Sequence, residues 1–277
     1  RGLTLTNGYG FQLAGGVLNN GHLTLQEVVV TDNLMTTDAG DFWQGGGGIY
    51  NGEGSTLILR NSTVSNNTSG FSGGGIYSFF DTTTIIENST ISGNVAQDVG
   101  GGLRTLGDLA LTDSTISGNV STAWHGGAAF VTDGAANILH STITGNIAPG
   151  GTTGGLFVGT FGDAPASLVI GNSVVANNGD FSCFLAPFGS GAVSLTSGGG
   201  NLFTDGTCNP IASDRVVADP GLGPLGDNGG ATQTHPLLSG SPAIDAADAA
   251  MCTATDQRGI TRPQGAGCDS GAFEYQP

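Results

Sequence analysis

The sequence predicts an all-β protein: a single-stranded parallel β-helix, or solenoid, with three strands per coil. Two observations carry this prediction. A phrase of the type Asn-Ser-Thr-Ile-Ser-Gly-Asn recurs at residues 61–67, 88–94, 113–119 and 140–146. Glycine pairs or triplets open each unit, and the units follow one another at steps of 26 to 32 residues. An internal period of this length is typical of repeat proteins whose units stack on one another.

Each unit contains three short strands that are separated by turns. The first strand follows the glycines, the second has alternating apolar residues, and the third is the repeated phrase. The first strands begin at Val17, Ile49, Ile76, Leu103, Ala129 and Leu156. Coils stacked at the usual spacing of about 4.8 Å would place like residues in columns. We therefore expect one inward column of apolar residues, made of Val64, Ile91, Ile116 and Ile143.

A second column is predicted at the turn that closes the phrase. Its members are asparagines whose side-chain amides can bond the coils above and below, as in other stacked β structures. The predicted structural ladder contains Asn33, Asn67, Asn94, Asn119, Asn146 and Asn178.

The chain divides into repeats over residues 1–209 and a predicted C-terminal cap over residues 210–277, which is rich in turns and proline. All four cysteines lie after the last regular repeat phrase, and the simplest of three connectivities is Cys183–Cys208 with Cys252–Cys268. Disulfides imply an oxidising compartment. At the other end, Arg1 already reads as part of a coil strand, so we expect an upstream segment or another molecule to cover this end.

Charge and hydropathy limit the partners. The chain has no lysine, and its 6 arginines against 22 acids give a net charge of −16. This balance disfavours nucleic acid, because a nucleic-acid partner requires a basic face. No apolar run reaches the length of about 18 residues needed for a transmembrane helix, so no transmembrane segment is predicted.

The C-terminal text resembles a known family. Its marks are Leu-Gly-Pro-Leu-Gly-Asp-Asn-Gly-Gly at 222–230, Gly-Ser-Pro-Ala-Ile-Asp-Ala at 240–246, Asp-Gln-Arg-Gly at 256–259 and Asp-Ser-Gly-Ala-Phe-Glu-Tyr at 269–275. Together they are similar to the choice-of-anchor Q domain of bacterial surface proteins, and the repeats before them resemble the pectate-lyase-like group. The resemblance implies a right-handed β-helix, export from a bacterial cell and no catalytic residues to carry over.

The most varied column predicts a ligand-binding face. In the first strand of most units, the residue after the inward aliphatic faces outward and is aromatic or arginine. Further aromatic residues lie just before the glycines. Aromatic rows could stack on sugar rings, and Arg104 could pair with a uronic carboxylate. The alternative is that these side chains pack under the inserted loops. The candidates are Trp43, Tyr50, Phe71, Tyr77, Arg104, Trp124, His125, Phe130 and Phe157.

Catalysis has weaker support in the sequence. A Ca²⁺-dependent polysaccharide lyase needs a base beside acids, and only Arg104 with Asp81, Asp98 and Asp108 imitates this. A glycosidase pair is no better supported, because Asp81, Asp108, Asp133 and Asp163 stand where turns are expected. We therefore predict no catalytic residues, no cofactor and no metal site, with Ca²⁺ an alternative that no loop motif supports.

A row of hydroxyl groups suggests one further alternative. Thr and Ser flank each inward residue of the phrase, as at Thr63/Ser65, Thr90/Ser92, Thr115/Ser117 and Thr142/Thr144. A flat lattice of this kind resembles an ice-binding face, although Thr and Ser also suit exposed strands in general.

The sequence as a whole indicates a non-enzymatic, structural or adhesive β-helix of a bacterial surface or extracellular matrix. Its predicted partner is either a second copy, stacked head to tail into a fibre, or an extracellular glycan.

Overall fold

The computed structural model describes residues 2–38, 43–151 and 153–277. Within these residues the regular structure is almost entirely β, with 28 strands and a single 3₁₀ helix, Ala249–Met251. This confirms the all-β prediction. Arg1, from which the start of the first coil was predicted, lies outside the described residues.

The strands of the first coils are β1 (Leu3–Thr6), β2 (Tyr9–Phe11), β3 (Val17–Asn19), β4 (His22–Gln26), β5 (Val28–Thr31), β6 (Leu34–Thr36), β7 (Ile49–Asn51), β8 (Thr56–Arg60), β9 (Thr63–Ser65), β10 (Thr68–Ser69), β11 (Ile76–Ser78), β12 (Thr83–Glu87), β13 (Thr90–Ser92) and β14 (Val95–Ala96). The later strands are β15 (Leu103–Thr105), β16 (Asp108–Thr112), β17 (Thr115–Ser117), β18 (Val120–Ser121), β19 (Ala129–Thr132), β20 (Ala135–Leu139), β21 (Thr142–Thr144), β22 (Thr153–Thr160), β23 (Ala166–Gly171), β24 (Val174–Ala176), β25 (Phe181–Pro187), β26 (Val193–Gly199), β27 (Leu202–Phe203) and β28 (Arg215–Val216).

These strands form four parallel sheets along the solenoid. Sheet I contains the repeated phrase, in the order β1-β5-β9-β13-β17-β21-β24-β27-β28. Sheet III (β25-β22-β19-β15-β11-β7-β3) follows the glycines, and sheet IV (β26-β23-β20-β16-β12-β8-β4) completes each coil. Beyond the three predicted strands, the early coils carry a short additional one, which forms sheet II (β18-β14-β10-β6-β2). It consists of the two or three extended residues that follow each ladder asparagine.

The interior is a stack of aliphatic columns. Val64, Ile91 and Ile116 are paired in register on successive strands of sheet I, and each is buried. Inward residues of sheets III and IV, such as Ile76 and Leu111, belong to the same apolar cluster. Alternation within each strand therefore gives one continuous core along the coils.

The six predicted asparagines form one continuous ladder. Asn67 Nδ2 donates to Asn94 Oδ1 at 2.9 Å, and the same bond joins Asn94 to Asn119 and Asn119 to Asn146. Each Oδ1 also accepts a backbone N–H of the preceding coil, as from Asn94 N to Asn119 Oδ1 at 3.0 Å. Because these buried groups satisfy one another, the ladder fixes the turn between sheets I and II.

Replacing one rung of the ladder should destabilise the fold. In Asn119→Ala, the backbone N–H of Asn94 loses its acceptor, and the carbonyl of Ile91 loses a donor at 3.0 Å. Each buried group left unsatisfied costs about 1–3 kcal/mol, so we expect a loss of about 3 kcal/mol or more in the free energy of unfolding. Denaturant unfolding measures it. The control is Asn137→Ala on β20, an exposed asparagine that we expect to matter by about 0.5 kcal/mol or less; equal losses would contradict the ladder's role.

The two ends of the solenoid differ. At the N-terminal end, β1 to β4 are the first described strands of the four sheets. Tyr9 and Leu18 are 70% and 53% exposed there. At the other end, the backbone N–H of Ser182 donates to Asp205 Oδ2, and the Cys183–Cys208 disulfide lies in the core. This disulfide and Cys252–Cys268 are the two predicted pairs.

The chain after β28 lies along the side of the solenoid. We call residues 217–277 the covering segment. The sequence predicts that this text caps the C-terminal end, whereas the structure places it over the outer face of sheet I. Leu237, Ala243 and Phe273 pack on Val174 and Leu202 near the end. Farther back along the sheet, Thr232 Oγ1 donates to the carbonyl of Asn88 at 3.1 Å.

The covering segment is held by the hydroxyl rows. Thr115 Oγ1 donates to Gln257 Oε1 at 2.7 Å, and Gln257 Nε2 donates to Thr90 Oγ1 at 2.9 Å. Ser117 Oγ lies 2.8 Å from Nε2 of His235. The predicted ice-binding lattice is therefore corrected: the hydroxyls face outward from the coils, but most of them are buried under the covering segment, whose irregular backbone needs such partners.

Ionisable groups are buried where the covering segment meets sheet I. Arg262 Nη1 lies 2.9 Å from Glu274 Oε2, and its Nη2 lies 3.4 Å from Asp113 Oδ1. Burial raises the pKa of Asp113 and of Asp269 to about 6. Burial, with Arg262 nearby, lowers the pKa of His140 to about 3.

His140→Asn should reduce the loss of stability in acid. In the folded protein the His140 ring stays neutral down to about pH 3, whereas in the unfolded chain it takes up a proton below its ordinary pKa of 6.5. The unfolded state therefore binds more protons, and His140 costs about 3 kcal/mol of stability between pH 7 and pH 4. Asparagine suits this position because the φ of His140 is 44°, close to the 48° of Asn88 and Asn172, which occupy the same position in other coils.

Melting temperatures of the variant and the native chain from pH 7 to pH 4 measure this effect. Asp113 and Asp269 act in the opposite direction, because a raised pKa adds stability that is lost as pH rises through about 6. Both chains keep these acids, so the difference between the two curves isolates His140. Parallel curves would contradict the prediction.

Candidate functional site

The predicted outward column lies on the outer face of sheet III. Strand pairing aligns Tyr50 with Tyr77, Tyr77 with Arg104, and Arg104 with Phe130. Phe157 follows on β22, opposite Phe130. We call these five residues the aromatic column.

Glycines bring the chain tightly into each strand of sheet III. Gly100 has a φ of 68°, and a Cβ atom there would lie 2.5 Å from the carbonyl oxygen of Leu103 and 2.9 Å from Cβ of Arg104. Only glycine fits this approach without strain.

The flanking loops bury the column, as the packing alternative predicts. Tyr77 and Phe157 are fully buried, and Arg104 is 1% exposed. Rings stack along the column: the Tyr50 and Tyr77 centroids lie 5.2 Å apart, and those of Phe130 and Phe157 lie 4.2 Å apart, with planes within 5° of parallel. The column is thus the floor of a groove between two rows of loops.

An open cleft of about 500 Å³ lies above part of this floor. We call it the aromatic cleft. One wall comes from turns before sheet III and the other from turns after it, and the lining residues are Phe71, Asp98, Val99, Arg104, Trp124, Phe130, Phe161 and Phe188.

Trp124, Phe161 and Phe188 form the rim, and they are 51%, 43% and 48% exposed. Phe161 and Phe188 stack at 5.6 Å, and Trp124 approaches Phe188 at 6.3 Å. Large exposed aromatic side chains around a concavity are the usual mark of a binding site.

A buried polar group lies at the base of the cleft. Arg104 Nη1 donates to Ser72 Oγ at 2.9 Å, and Ser72 Oγ donates to Asp98 Oδ2 at 3.2 Å. The guanidinium carbon lies 5.1 Å from the Tyr77 ring centroid and 5.9 Å from that of Phe130, a cation–π arrangement.

Burial controls the electrostatics of this group. It lowers the pKa of Arg104, an effect that Tyr77 and Asp98 oppose. It raises the pKa of Asp98, while Arg104 and the bond from Ser72 act in the opposite direction. The positive charge of Arg104 is therefore held between rings and carboxylate, beneath the surface of the cleft.

The remaining predicted residues lie beside the cleft. Trp43 contacts Phe79 and Phe80 at centroid distances of 5.7 and 5.1 Å, over the earlier coils. Burial raises the pKa of Tyr50 in that region to about 12. His125 stacks on Phe157 at 5.2 Å, and burial lowers its pKa. Of the nine predicted residues, four therefore line the cleft: Phe71, Arg104, Trp124 and Phe130. The other five lie beside it.

Two rim residues were missed by the sequence reasoning. Phe161 and Phe188 each come four residues after a column position, at Phe157 and at its strand partner Phe184. Extending the alignment by one coil to Phe184 would have revealed this repeated spacing.

Three of the turn aspartates, Asp81, Asp108 and Asp133, line one hollow of about 260 Å³, and two of them accept hydrogen bonds from backbone. Asp108 Oδ1 accepts the backbone N–H of Ala135, and Asp133 accepts that of Phe161, both at 3.0 Å. Asp163 is bonded to the hydroxyl of Ser190. Across the described ranges, His, Cys, Asp and Glu residues form no group of three or more that could hold a metal ion.

The family model described as "Right handed beta helix region" matches residues 7–208, which is more than half of the chain. The chain belongs to this right-handed β-helix family. Searches of curated proteins and of solved structures found no match. Among the described residues, no helix is both long and apolar enough to cross a membrane. In this β-helix, the repeats that the family model matches carry the whole aromatic cleft.

Proposed function

We propose that this β-helix is an extracellular adhesive protein that binds a sugar in the aromatic cleft. The observation that carries the proposal is the open cleft with exposed Trp124, Phe161 and Phe188 around the Asp98 carboxylate. Its volume of about 500 Å³ lies within the usual range for small-molecule sites. Aromatic faces pack on the C–H faces of sugar rings, and a few polar groups fix the orientation.

The two disulfides support an extracellular location, because such bonds persist in oxidising compartments. The resemblance of the C-terminal text to the choice-of-anchor Q domain supports a bacterial surface. The covering segment that carries this text is packed on sheet I, so it leaves the aromatic cleft on sheet III open.

Binding is better supported than cleavage. Arg104, the base of the lyase alternative, is 1% exposed and donates to Ser72. A glycosidase needs two carboxyl groups that face the same bond. Of the described residues that line the cleft, Asp98 alone is a carboxylate.

Removing a rim ring should weaken sugar binding. We expect Trp124→Ala to lower affinity up to about tenfold, because a stacked aromatic contributes about 0.5–1.5 kcal/mol. A glycan array identifies the sugars bound by the native chain, and calorimetry then measures both chains. Trp43→Ala is the matched control, since it removes an exposed tryptophan from the same face but outside the cleft. Equal binding by all three chains would contradict the proposal.

A second candidate function is head-to-tail assembly, which exposed apolar side chains on the first and last described coils favour. Apolar side chains are exposed at both ends: Tyr9 and Leu18 at one end, Ile211 and Val216 at the other. A contact between unlike ends of two copies would extend the parallel sheets and give an open filament.

Two variants test assembly through unlike ends. Tyr9→Lys with Leu18→Lys blocks one end, and Val216→Lys blocks the other, because a charge opposite an apolar edge costs desolvation energy. In sedimentation experiments we expect the native chain to form oligomers, each variant alone to stay monomeric, and a mixture of the two to stop at dimers. A native chain that is monomeric at every concentration would exclude this assembly.

A further inference from the structure

The aromatic cleft adjoins a second, polar hollow. This hollow has a volume of about 360 Å³ and shares Phe71 and Asp98 with the cleft. Its other lining residues are Thr37, Asp38, Gly70, Gln97 and Ala123. The Asp98 carboxylate thus lies between a chamber lined by aromatic rings and a hollow lined by carboxylate, amide and hydroxyl groups.

The accessible charges of this double site are negative. Asp38 is exposed, and Asp98 is half-buried. Arg104 is the cation among the described lining residues, and its guanidinium is buried between rings and donates to Ser72. The whole chain adds a net charge of −16 with no lysine. An anionic sugar would meet repulsion here, whereas a cationic one would be attracted over a long range.

Burial of Asp98 favours a cationic partner for a second reason. A half-buried carboxylate has lost part of its hydration, which raises its pKa. An ammonium group beside it would restore a favourable environment for the charged form, through a charge-assisted hydrogen bond. Among sugars of similar shape, the site therefore favours a cationic sugar over a neutral or an anionic one.

We propose that the ligand of the cleft is an amino sugar with a free ammonium group, within a cationic polysaccharide. One ring packs on Trp124 and Phe188, its ammonium faces Asp98, and a neighbouring ring of the polymer occupies the polar hollow beside Asp38. This inference rests on the proposed function of the cleft. It replaces the uronic acid that the sequence suggested on the expectation that Arg104 is exposed.

Calorimetry with three oligosaccharides of equal length tests the inference: glucosamine, N-acetylglucosamine and galacturonate oligomers. We expect the native chain to bind the glucosamine oligomer tightest and the galacturonate oligomer weakest. Asp98→Asn should weaken the glucosamine oligomer about tenfold and the N-acetylglucosamine oligomer clearly less, since only the first presents a cation. Asp38→Asn should give a smaller loss, and only with oligomers long enough to reach the hollow.

Asp32→Asn is the matched control. It removes the same charge from an exposed turn just before the strand that leads to Asp38, and asparagine suits its φ of 55°. It should change the affinity for glucosamine oligomers less than twofold, since exposed charges at a distance are screened by salt. The native chain supplies an arm that needs no substitution: binding should weaken as pH rises and the ligand's ammonium groups lose their protons.

The outcomes separate this inference from the function on which it rests. If the neutral and cationic oligomers bind equally, and Trp124→Ala weakens both, the cleft binds sugars but the preference for ammonium is wrong. Tightest binding of the galacturonate oligomer would likewise overturn the preference. If neither the three oligomers nor any sugar of the glycan array binds, the sugar-binding function itself is wrong.

Discussion

Hydrogen bonds between successive coils set the register on which the whole molecule depends. The asparagine ladder joins each coil to the next through both side-chain and backbone groups. A second column, of serines, runs beside it: the backbone N–H of Ser62 donates to Ser89 Oγ, and that of Ser89 donates to Ser114 Oγ. A slip of one residue would break both columns and turn every inward aliphatic outward. The site inherits its order from this register, because the aromatic column exists only while like residues stay stacked.

The lateral faces of the solenoid have different roles because different material covers them. Sheet I presents hydroxyl rows, and the covering segment, which contains isolated β-bridges but no strand, uses them as partners. Sheet III presents rings, which bond poorly to backbone, and loops of its own coils rise beside them. These loops do not meet over the middle coils, so the rings of the rim stay exposed. The uncovered face is therefore the one whose chemistry suits an external ligand rather than the chain itself.

The periodic part of the structure could be predicted from the sequence, and the aperiodic part could not. Strand positions, the inward column at Val64 and Ile91, and the ladder asparagines all recur at a fixed spacing, so one coil predicts the next. The position of the covering segment depends on contacts such as that between Gln257 and Thr115, which are distant in sequence and have no period. The same limit applies to the cleft. The residues of its floor could be predicted because they recur as a column. Its walls could not, because they are formed by loops of unequal length.

A buried arginine in a chain with so few cations has a structural consequence for the cleft. The strand neighbours of Arg104 in the column are the aromatic residues Tyr77 and Phe130, and a third aromatic residue between them would continue the stack of rings. Instead the guanidinium interrupts the stack, lies against the faces of its neighbours, and bonds Ser72, which in turn bonds Asp98. The carboxylate is thereby held at the wall. Because Arg104 lies beneath the surface and Asp98 lies nearer to the surface, the charge that faces the cleft is the negative one.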